Sequence, residues 1–190
     1  RQFGGDSAVR RTREQLAGQL MQMFTDHASE DWPWYTNELT YANPRVPHAL
    51  LLSGRWMFDN GMIECALRAL EWLWSVETND DGQFAPVGTQ GWFPRDGEKA
   101  QFDQLPLEAA SMVDACLEAF RVTDDKKWVK RAYRCLNWFM GDNVLSLPLY
   151  DTSTGGCCDR LMPQGLSEDQ SAQGTLSWLL SLMAVYDYNL

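Results

Sequence analysis

The chain has 190 residues, a length typical of one domain, and 45% of them are hydrophobic, which suffices for a core. Its formal net charge of -10 excludes the basic surface with which nucleic-acid-binding proteins neutralise phosphates. The sequence has no run of about 18 apolar residues, so it predicts no membrane span.

Helical periodicity predicts six helices. They cover about Asp6 or Ser7 to Asp26, Arg45 or Val46 to just before Gly54, Gly61 to Glu77, Pro106 to about Val122, the residues after Asp124-Asp125 up to Gly141, and about Ser171 to Tyr188. Pro106 suits a first helical turn, and glycine commonly follows a last one. We therefore expect an all-α domain over residues 1–190.

The apolar spacing also predicts which side of each helix faces the core. The polar residues of the third helix form one narrow stripe, so we expect burial on most of its other sides. That stripe is Glu64, Arg68, Glu71 and Ser75. The predicted core face of the first helix is Leu16, Leu20, Met23 and Phe24, and that of the sixth is Leu176, Leu179, Leu180, Met183 and Tyr186.

Short and long connections alternate between the predicted helices. A tight turn, Thr123 to Lys126, joins helices four and five, whereas Thr78–Leu105 and Asp142–Gln170 are long and rich in Gly, Pro and aromatic residues. Because antiparallel helices reverse the chain at each connection, the long loops should gather at one end, where binding sites are commonly built. This wiring favours an α/α-hairpin toroid, although an α-solenoid would also fit. We expect strands to be minor and confined to the loops around Phe84–Phe93.

Five cysteines, Cys65, Cys116, Cys135, Cys157 and Cys158, show neither a disulfide framework nor the C-x-x-C spacing of zinc and redox sites. This pattern favours a reducing compartment, so we expect a cytoplasmic protein. The only histidines, His27 and His48, lie on separate segments and cannot form a His-based triad or zinc motif. We expect no metal and no cofactor.

Four loop motifs combine carboxylates with aromatic residues. They are Trp32–Tyr41, Asp80–Phe84, Gln101–Glu108 and Gly155–Arg160. Glycoside chemistry commonly requires two carboxyl groups across a sugar, and aromatic faces hold the ring. A plainer interpretation remains open, in which Asp103 and Glu108 cap the helix that starts at Pro106 and Asp80-Asp81-Gly82 forms an ordinary turn.

The order of these motifs is distinctive. They read WPWYTNELTYANPRVP, GQFAPVGTQGWFPRDGEKAQFDQLPLEAA, LYDTSTGGCCDRL and EDQSAQGTLSWLLSL. From Trp32 to Met183 the chain resembles a bacterial domain of the six-hairpin glycosidase-like group, which is often attached to, or encoded beside, family-1-type glycosyltransferases. The resemblance implies an (α/α)6 toroid of which these three hairpins would form the C-terminal half.

Several family carboxylates are replaced in this chain. Thr36 and Asn37 replace residues of an acidic motif in the family. This chain has Tyr41-Ala42-Asn43-Pro44-Arg45 where the family has Tyr-Asp-Asn-Ala-Arg. It has Ser171-Ala172-Gln173-Gly174-Thr175 where the family has Gly-Ala-Glu-Ser-Thr. Asp103, Glu108 and Asp159 match the family pattern. The losses favour a module without catalytic activity.

Two functions therefore follow as hypotheses: a module that binds glycan or supports a glycosyltransferase, or alternatively an active glycoside hydrolase. The candidate catalytic residues are Asp103, Asp159 and Glu108. The candidate sugar-binding residues are Trp34, Tyr35, Glu38, Asn43, Arg45, Trp92, Phe93 and Gln104. An isoprenoid-cyclising toroid would need a richer acidic motif than Asp80-Asp81.

Because three hairpins cannot close a ring, we expect an exposed apolar face, including part of the third helix, covered by the missing N-terminal half, another copy or an attached glycosyltransferase.

Overall fold

A computed structural model describes residues 7–188 and contains six helices in that range. They are α1 (Ser7–His27), α2 (Arg45–Met57), α3 (Asn60–Val76), α4 (Pro106–Thr123), α5 (Lys126–Phe139) and α6 (Ala172–Tyr186). The prediction of an all-α domain with six helices is confirmed. Asp6, one of the two proposed starting points of the first helix, lies outside the described residues. The second helix does not stop before Gly54, because this glycine is buried inside α2.

Local side-chain chemistry explains several helix ends. Asp59 precedes α3 and accepts a hydrogen bond from the Met62 amide, and Asp125 does the same for the Lys127 amide at the start of α5. Pro106 occupies the first turn of α4, as predicted. The α4–α5 turn is tight because Asp124 adopts a left-handed backbone conformation, with φ 57°.

Four two-residue strands form two antiparallel pairs. They are β1 (Glu38–Leu39) with β2 (Phe93–Pro94), and β3 (Leu161–Met162) with β4 (Gly165–Leu166). Only β2 lies near the predicted segment Phe84–Phe93, so confining the strands to that segment was wrong. The physical reason is that the loops pair with one another, as in β1 with β2, and that Gly165, with φ 132°, allows a hairpin before α6.

Helix α4 lies at the centre of the domain. It packs against α2, α3, α5 and α6, and α2 and α6 flank it on either side. From Glu108 to Ala119 only Asp114 retains appreciable exposure. The remaining helices pack on this row of three: α1 contacts α2 and α3, while α5 contacts α4 and α6. No helix within residues 7–188 combines the length and apolar character needed to cross a membrane.

The outer helices α3 and α5 are held together by a cation enclosed between aromatic rings. The Arg131 guanidinium lies 5.0 Å from the Trp74 ring centroid and 4.6 Å from that of Trp128. Its two terminal nitrogens donate to the Glu71 carboxylate at 2.6 and 2.8 Å. The bidentate pair with Glu71 and the Trp74 ring face link α5 to α3, while the Trp128 contact within α5 holds the Arg131 side chain in place.

The two long loops contact one another at the end of the helices from which α4 and α6 begin. Gln104 and Leu161 form a β-bridge between them. The Gln83 amide donates to the Asp142 carboxylate and to the Asn143 carbonyl, both at 3.3 Å. Since these loops lead into α4 and α6, and β1 ties in the segment before α2, the N-termini of all three helices share this end.

The predicted core face of α6 is wrong and that of α1 is right only for Leu20 and Phe24, which pack half-buried against the core; α3 does not contribute the exposed apolar face expected of it. Helix α3 exposes its polar stripe, as predicted, and none of its large apolar side chains. In α1, Leu16 and Met23 are exposed and only Ala17 is buried, because this helix has neighbours on one side alone. In α6 the predicted core residues are all exposed, between 45% and 63%. Its buried residues are instead Gly174, Ser177, Trp178, Ser181 and Val185.

Candidate functional site: a groove along α4

A groove of about 420 Å³ runs along the accessible stripe of α4, and we call it the α4 groove. Its lining residues come from the start of α2, from α4 and from α6. They are Arg45, Leu107, Ala110, Asp114, Gln173, Leu176, Ser177, Leu180 and Ser181. The volume lies in the range of small-molecule sites in proteins.

The chain wiring places this groove beside three helix N-termini. Arg45 is the first residue of α2, Leu107 is the second of α4 and Gln173 is the second of α6. Backbone N–H groups without helical partners point outward at such ends, and they carry partial positive charge. In this domain several of these groups are already bonded: the Arg45 amide donates to the Ala42 carbonyl, the Glu108 amide to the Leu105 carbonyl and the Gly174 amide to the Ser171 hydroxyl.

Two polar contacts involve the groove lining, one between two lining residues and one from Gln173 to Tyr41, which lies outside the lining. Arg45 Nη1 donates to Asp114 Oδ2 at 2.8 Å, and the two side chains are 46% and 35% exposed. Gln173 Nε2 donates to the Tyr41 hydroxyl at 2.6 Å, and Tyr41 is 48% exposed. A cation, a carboxylate, an amide and an aromatic ring are thus accessible together.

Sequence reasoning identified Arg45 but missed Tyr41, Asp114 and Gln173 as site residues. Asp114 did leave a signal, because it interrupts the apolar run of α4. Gln173 was noted only as a replacement for a family carboxylate. Their proximity depends on the packing of α2, α4 and α6, which spacing in one helix does not reveal.

The candidate catalytic residue Asp103 lies among the long loops and is only 5% exposed. Its Oδ2 accepts a hydrogen bond from Gln90 Nε2 at 2.7 Å and lies 3.9 Å from Arg160 Nη1. Its backbone is left-handed, with φ 58°. The Asp103 carboxylate thus links two parts of the loop Thr78–Leu105 through Gln90, and it attracts Arg160 of the other long loop.

The candidate catalytic residue Asp159 supports the start of α6. Its Oδ1 accepts hydrogen bonds from the Ser171 amide at 2.9 Å and from the Ser171 hydroxyl at 2.7 Å. Ser171 is itself the N-cap residue of α6. This carboxylate therefore orients the capping residue.

The third candidate, Glu108, is fully buried and fixes the segment before α2. Its carboxylate accepts hydrogen bonds from the backbone amides of Ala42 and Asn43, the latter at 3.2 Å. It acts between segments rather than as the N-cap of its own helix, whose N-cap position belongs to Leu105. Burial raises the pKa of Glu108 to about 7.

A second buried carboxyl, Glu77, follows α3. Its Oε1 accepts from the Val87 amide at 3.3 Å, and Oε2 has no hydrogen-bond partner among the described residues. Burial, together with the nearby Glu108 charge, raises the pKa of Glu77 to about 8. The neighbouring Lys99 ammonium opposes this rise and donates to two backbone carbonyls.

Four predicted sugar-binding residues belong to the core, and this corrects their assignment. Trp34 and Tyr35 are 3% and 1% exposed, so neither ring presents a face to a ligand. Gln104 accepts a hydrogen bond from the buried Trp138 indole at 3.0 Å. Asn43 is 4% exposed and bonds to the backbone of Thr40 through both side-chain polar atoms.

The remaining candidates lie on the loops, away from the groove lining. Phe93 is half-buried in β2 and packs edge-on against Trp32, with ring centroids 5.2 Å apart. Trp92, also half-buried, has a left-handed backbone with φ 54°. Glu38 is exposed on β1. Among residues 7–188, no three His, Cys, Asp or Glu side chains are grouped as metal ligands.

No family model and no curated protein matches the chain. Its class is therefore defined by its own structure, as an all-α domain with a mixed polar and apolar groove at the N-terminal end of a row of three helices.

Proposed function

We propose that this domain is a carbohydrate-binding module without catalytic activity, and that the α4 groove is its sugar site. The observation that carries the proposal is that the groove lining combines the Arg45–Asp114 pair with the Gln173 amide, which is bonded to the exposed Tyr41 beside the lining. Sugars offer hydroxyl groups to charged and amide side chains and C–H faces to aromatic and aliphatic ones. A site of this kind needs no catalytic carboxylate.

The state of the three matched carboxylates supports binding over hydrolysis. Asp159 is engaged with Ser171, Glu108 with two backbone amides and Asp103 with Gln90. A glycosidase requires one carboxyl group that can protonate the leaving oxygen and another that can attack or activate water. Groups committed to holding loops and a capping residue are poorly suited to both tasks.

We further propose that the six helices form half of an α/α-hairpin toroid. The support is that α2, α4 and α6 lie side by side, with their N-termini at the end where the long loops meet. In this arrangement the α4 groove would lie on the inner side of the ring, near its mouth. The resemblance to glycosyltransferase-associated domains makes a role in presenting glycan to such an enzyme part of the proposal.

The proposal is tested by a glycan-array screen of the purified chain, followed by calorimetric titration of the best ligand. Arg45→Ala should weaken binding about tenfold or more, equivalent to about 1.4 kcal/mol. Arg134→Ala, on the exposed side of α5, is the matched control and should bind as the wild type does. Circular dichroism verifies that both variants retain their helices.

Failure to retain any glycan, or unchanged binding by Arg45→Ala, would refute the assignment of the groove. A parallel assay for released reducing sugar addresses the hydrolase alternative. Hydrolysis that disappears in Asp103→Asn, while the melting temperature stays within a few degrees, would replace the binding module with a glycoside hydrolase.

A further inference from the structure

The apolar stripe of α6 faces away from the domain. Six large hydrophobic side chains on this one helix are between 41% and 63% exposed: Leu176, Leu179, Leu180, Leu182, Met183 and Tyr186. We call this surface the α6 face. Single exposed hydrophobic residues are ordinary, whereas a continuous stripe of them marks an interaction surface.

The orientation of α6 is fixed by its other side. Gly174, Ser177 and Ser181 are buried, and α6 packs closely on α4. The Ser181 hydroxyl donates to the Ser177 carbonyl at 2.7 Å, so this buried hydroxyl is satisfied within the helix. Because the small residues occupy the contact with α4, the leucines remain available for a partner.

We infer that the α6 face is the contact surface of a homodimer, in which two α6 helices pair antiparallel about a two-fold axis. The inference does not rest on the proposed sugar site, although two residues of the face, Leu176 and Leu180, also line the α4 groove. Leu176, Leu179, Met183 and Tyr186 recur at the three- and four-residue spacing of a helix–helix seam. A two-fold contact requires one self-complementary patch, and an uncharged apolar stripe fulfils that requirement.

Electrostatics do not oppose a second copy on this face. The segment Ala172–Tyr186 contains no charged residue, although the whole chain carries a net charge of -10. Two copies therefore repel one another over much of their surfaces and can approach most closely where neither is charged. Antiparallel pairing also places the N-terminus of each helix dipole beside the C-terminus of the other.

The exposed area reaches the size of a small stable dimer contact when the whole α6 face is covered. At these exposures the six side chains leave roughly 600 Å² per copy, so complete burial in both copies would remove at most roughly 1,200 Å², the lower limit for stable protein interfaces. Leu176 and Leu180 also line the α4 groove, so the partner's α6 would border each groove.

Sedimentation equilibrium over a concentration series tests the inference. The wild type should approach twice its chain mass of 21.7 kDa at about 100 µM, and added salt should strengthen association by screening the acidic surfaces. Met183→Glu should sediment as a single chain throughout. Met140→Glu is the matched control, because Met140 follows α5 and is 58% exposed compared with 51% for Met183; it should dimerise like the wild type.

The Met183→Glu and Met140→Glu variants must both show the wild-type circular dichroism spectrum. Leu179→Gln is a milder second variant on the α6 face, and it should lower the association constant at least tenfold. A wild-type mass of one chain at about 100 µM would overturn the inference. So would a mass that continues to rise beyond two chains, or a Met183→Glu variant that dimerises normally.

Discussion

The buried carboxyl of Glu77 should make the domain less stable as the pH rises. A carboxyl whose pKa is raised in the folded state binds its proton there more tightly than in the unfolded chain. Between the ordinary value of 4.5 and the folded value of about 8, the folded state therefore holds more protons, and its stability falls with increasing pH. Glu108, whose pKa is also raised, should add to this fall.

Glu77→Gln removes this titration while preserving the shape of the side chain. The amide oxygen can still accept from the Val87 amide, and the NH2 group occupies the place of Oε2, which has no partner among the described residues. Near pH 5 the protonated wild type and the variant should differ by less than about 1 kcal/mol, since both are neutral there. Near pH 9 the variant should be more stable by up to about 5 kcal/mol, an upper bound that local relaxation around the ionised carboxylate reduces.

Urea unfolding followed by tryptophan fluorescence at about pH 5, 7 and 9 measures this difference. Glu64→Gln is the control, because Glu64 lies on the same helix and is exposed. Its stability profile should run parallel to that of the wild type. If the wild-type and Glu77→Gln profiles also run parallel from pH 5 to 9, the carboxyl does not change its ionisation on folding and the reasoning is refuted.

Two further predictions concern packing. A methyl group at Gly88 would overlap a backbone carbonyl of the same loop, so Gly88→Ala should lower the unfolding free energy by about 2 kcal/mol or more. Gly18 lies in a helix with open space around it, so Gly18→Ala should raise the unfolding free energy by about 0.5–1 kcal/mol. Thermal unfolding of the two variants compares them, and a neutral Gly88→Ala would contradict the close approach. Arg131→Ala should cost about 2 kcal/mol, because it removes the bidentate pair with Glu71 and two ring contacts, whereas Arg134→Ala should stay within about 0.5 kcal/mol in the same urea titration. Equal losses in the two arginine variants would contradict the structural role of Arg131.

The sequence predicted the helices well where local chemistry and packing agree. In α5, Trp128, Ala132, Cys135, Leu136 and Phe139 are buried as the apolar periodicity indicates. Aspartate caps and Pro106 placed the starts of α4 and α5 to within a residue. These signals are local, so a single sequence suffices to identify them.

The candidate site was harder to predict because its residues meet only through tertiary packing. Trp34 and Tyr35 resemble a sugar platform in sequence, yet they lie in the core beneath the loops. Glu108 looks like part of a helix start but bonds to backbone amides more than 60 positions earlier. No periodicity in one segment indicates such a long-range contact.

The sixth helix shows why an amphipathic pattern identifies two faces without saying which one the domain itself buries. Apolar side chains gain by leaving water, whether the surface that covers them belongs to the same chain or to another. Against α4, however, small residues permit closer helix packing than leucines would, and the interior of this contact contains Gly174, Ser177 and Ser181. The fold therefore uses the small face for close packing with α4 and leaves the leucine face free for association. If two copies meet there, the burial that periodicity predicted for Leu179 and Met183 is achieved between chains rather than within one.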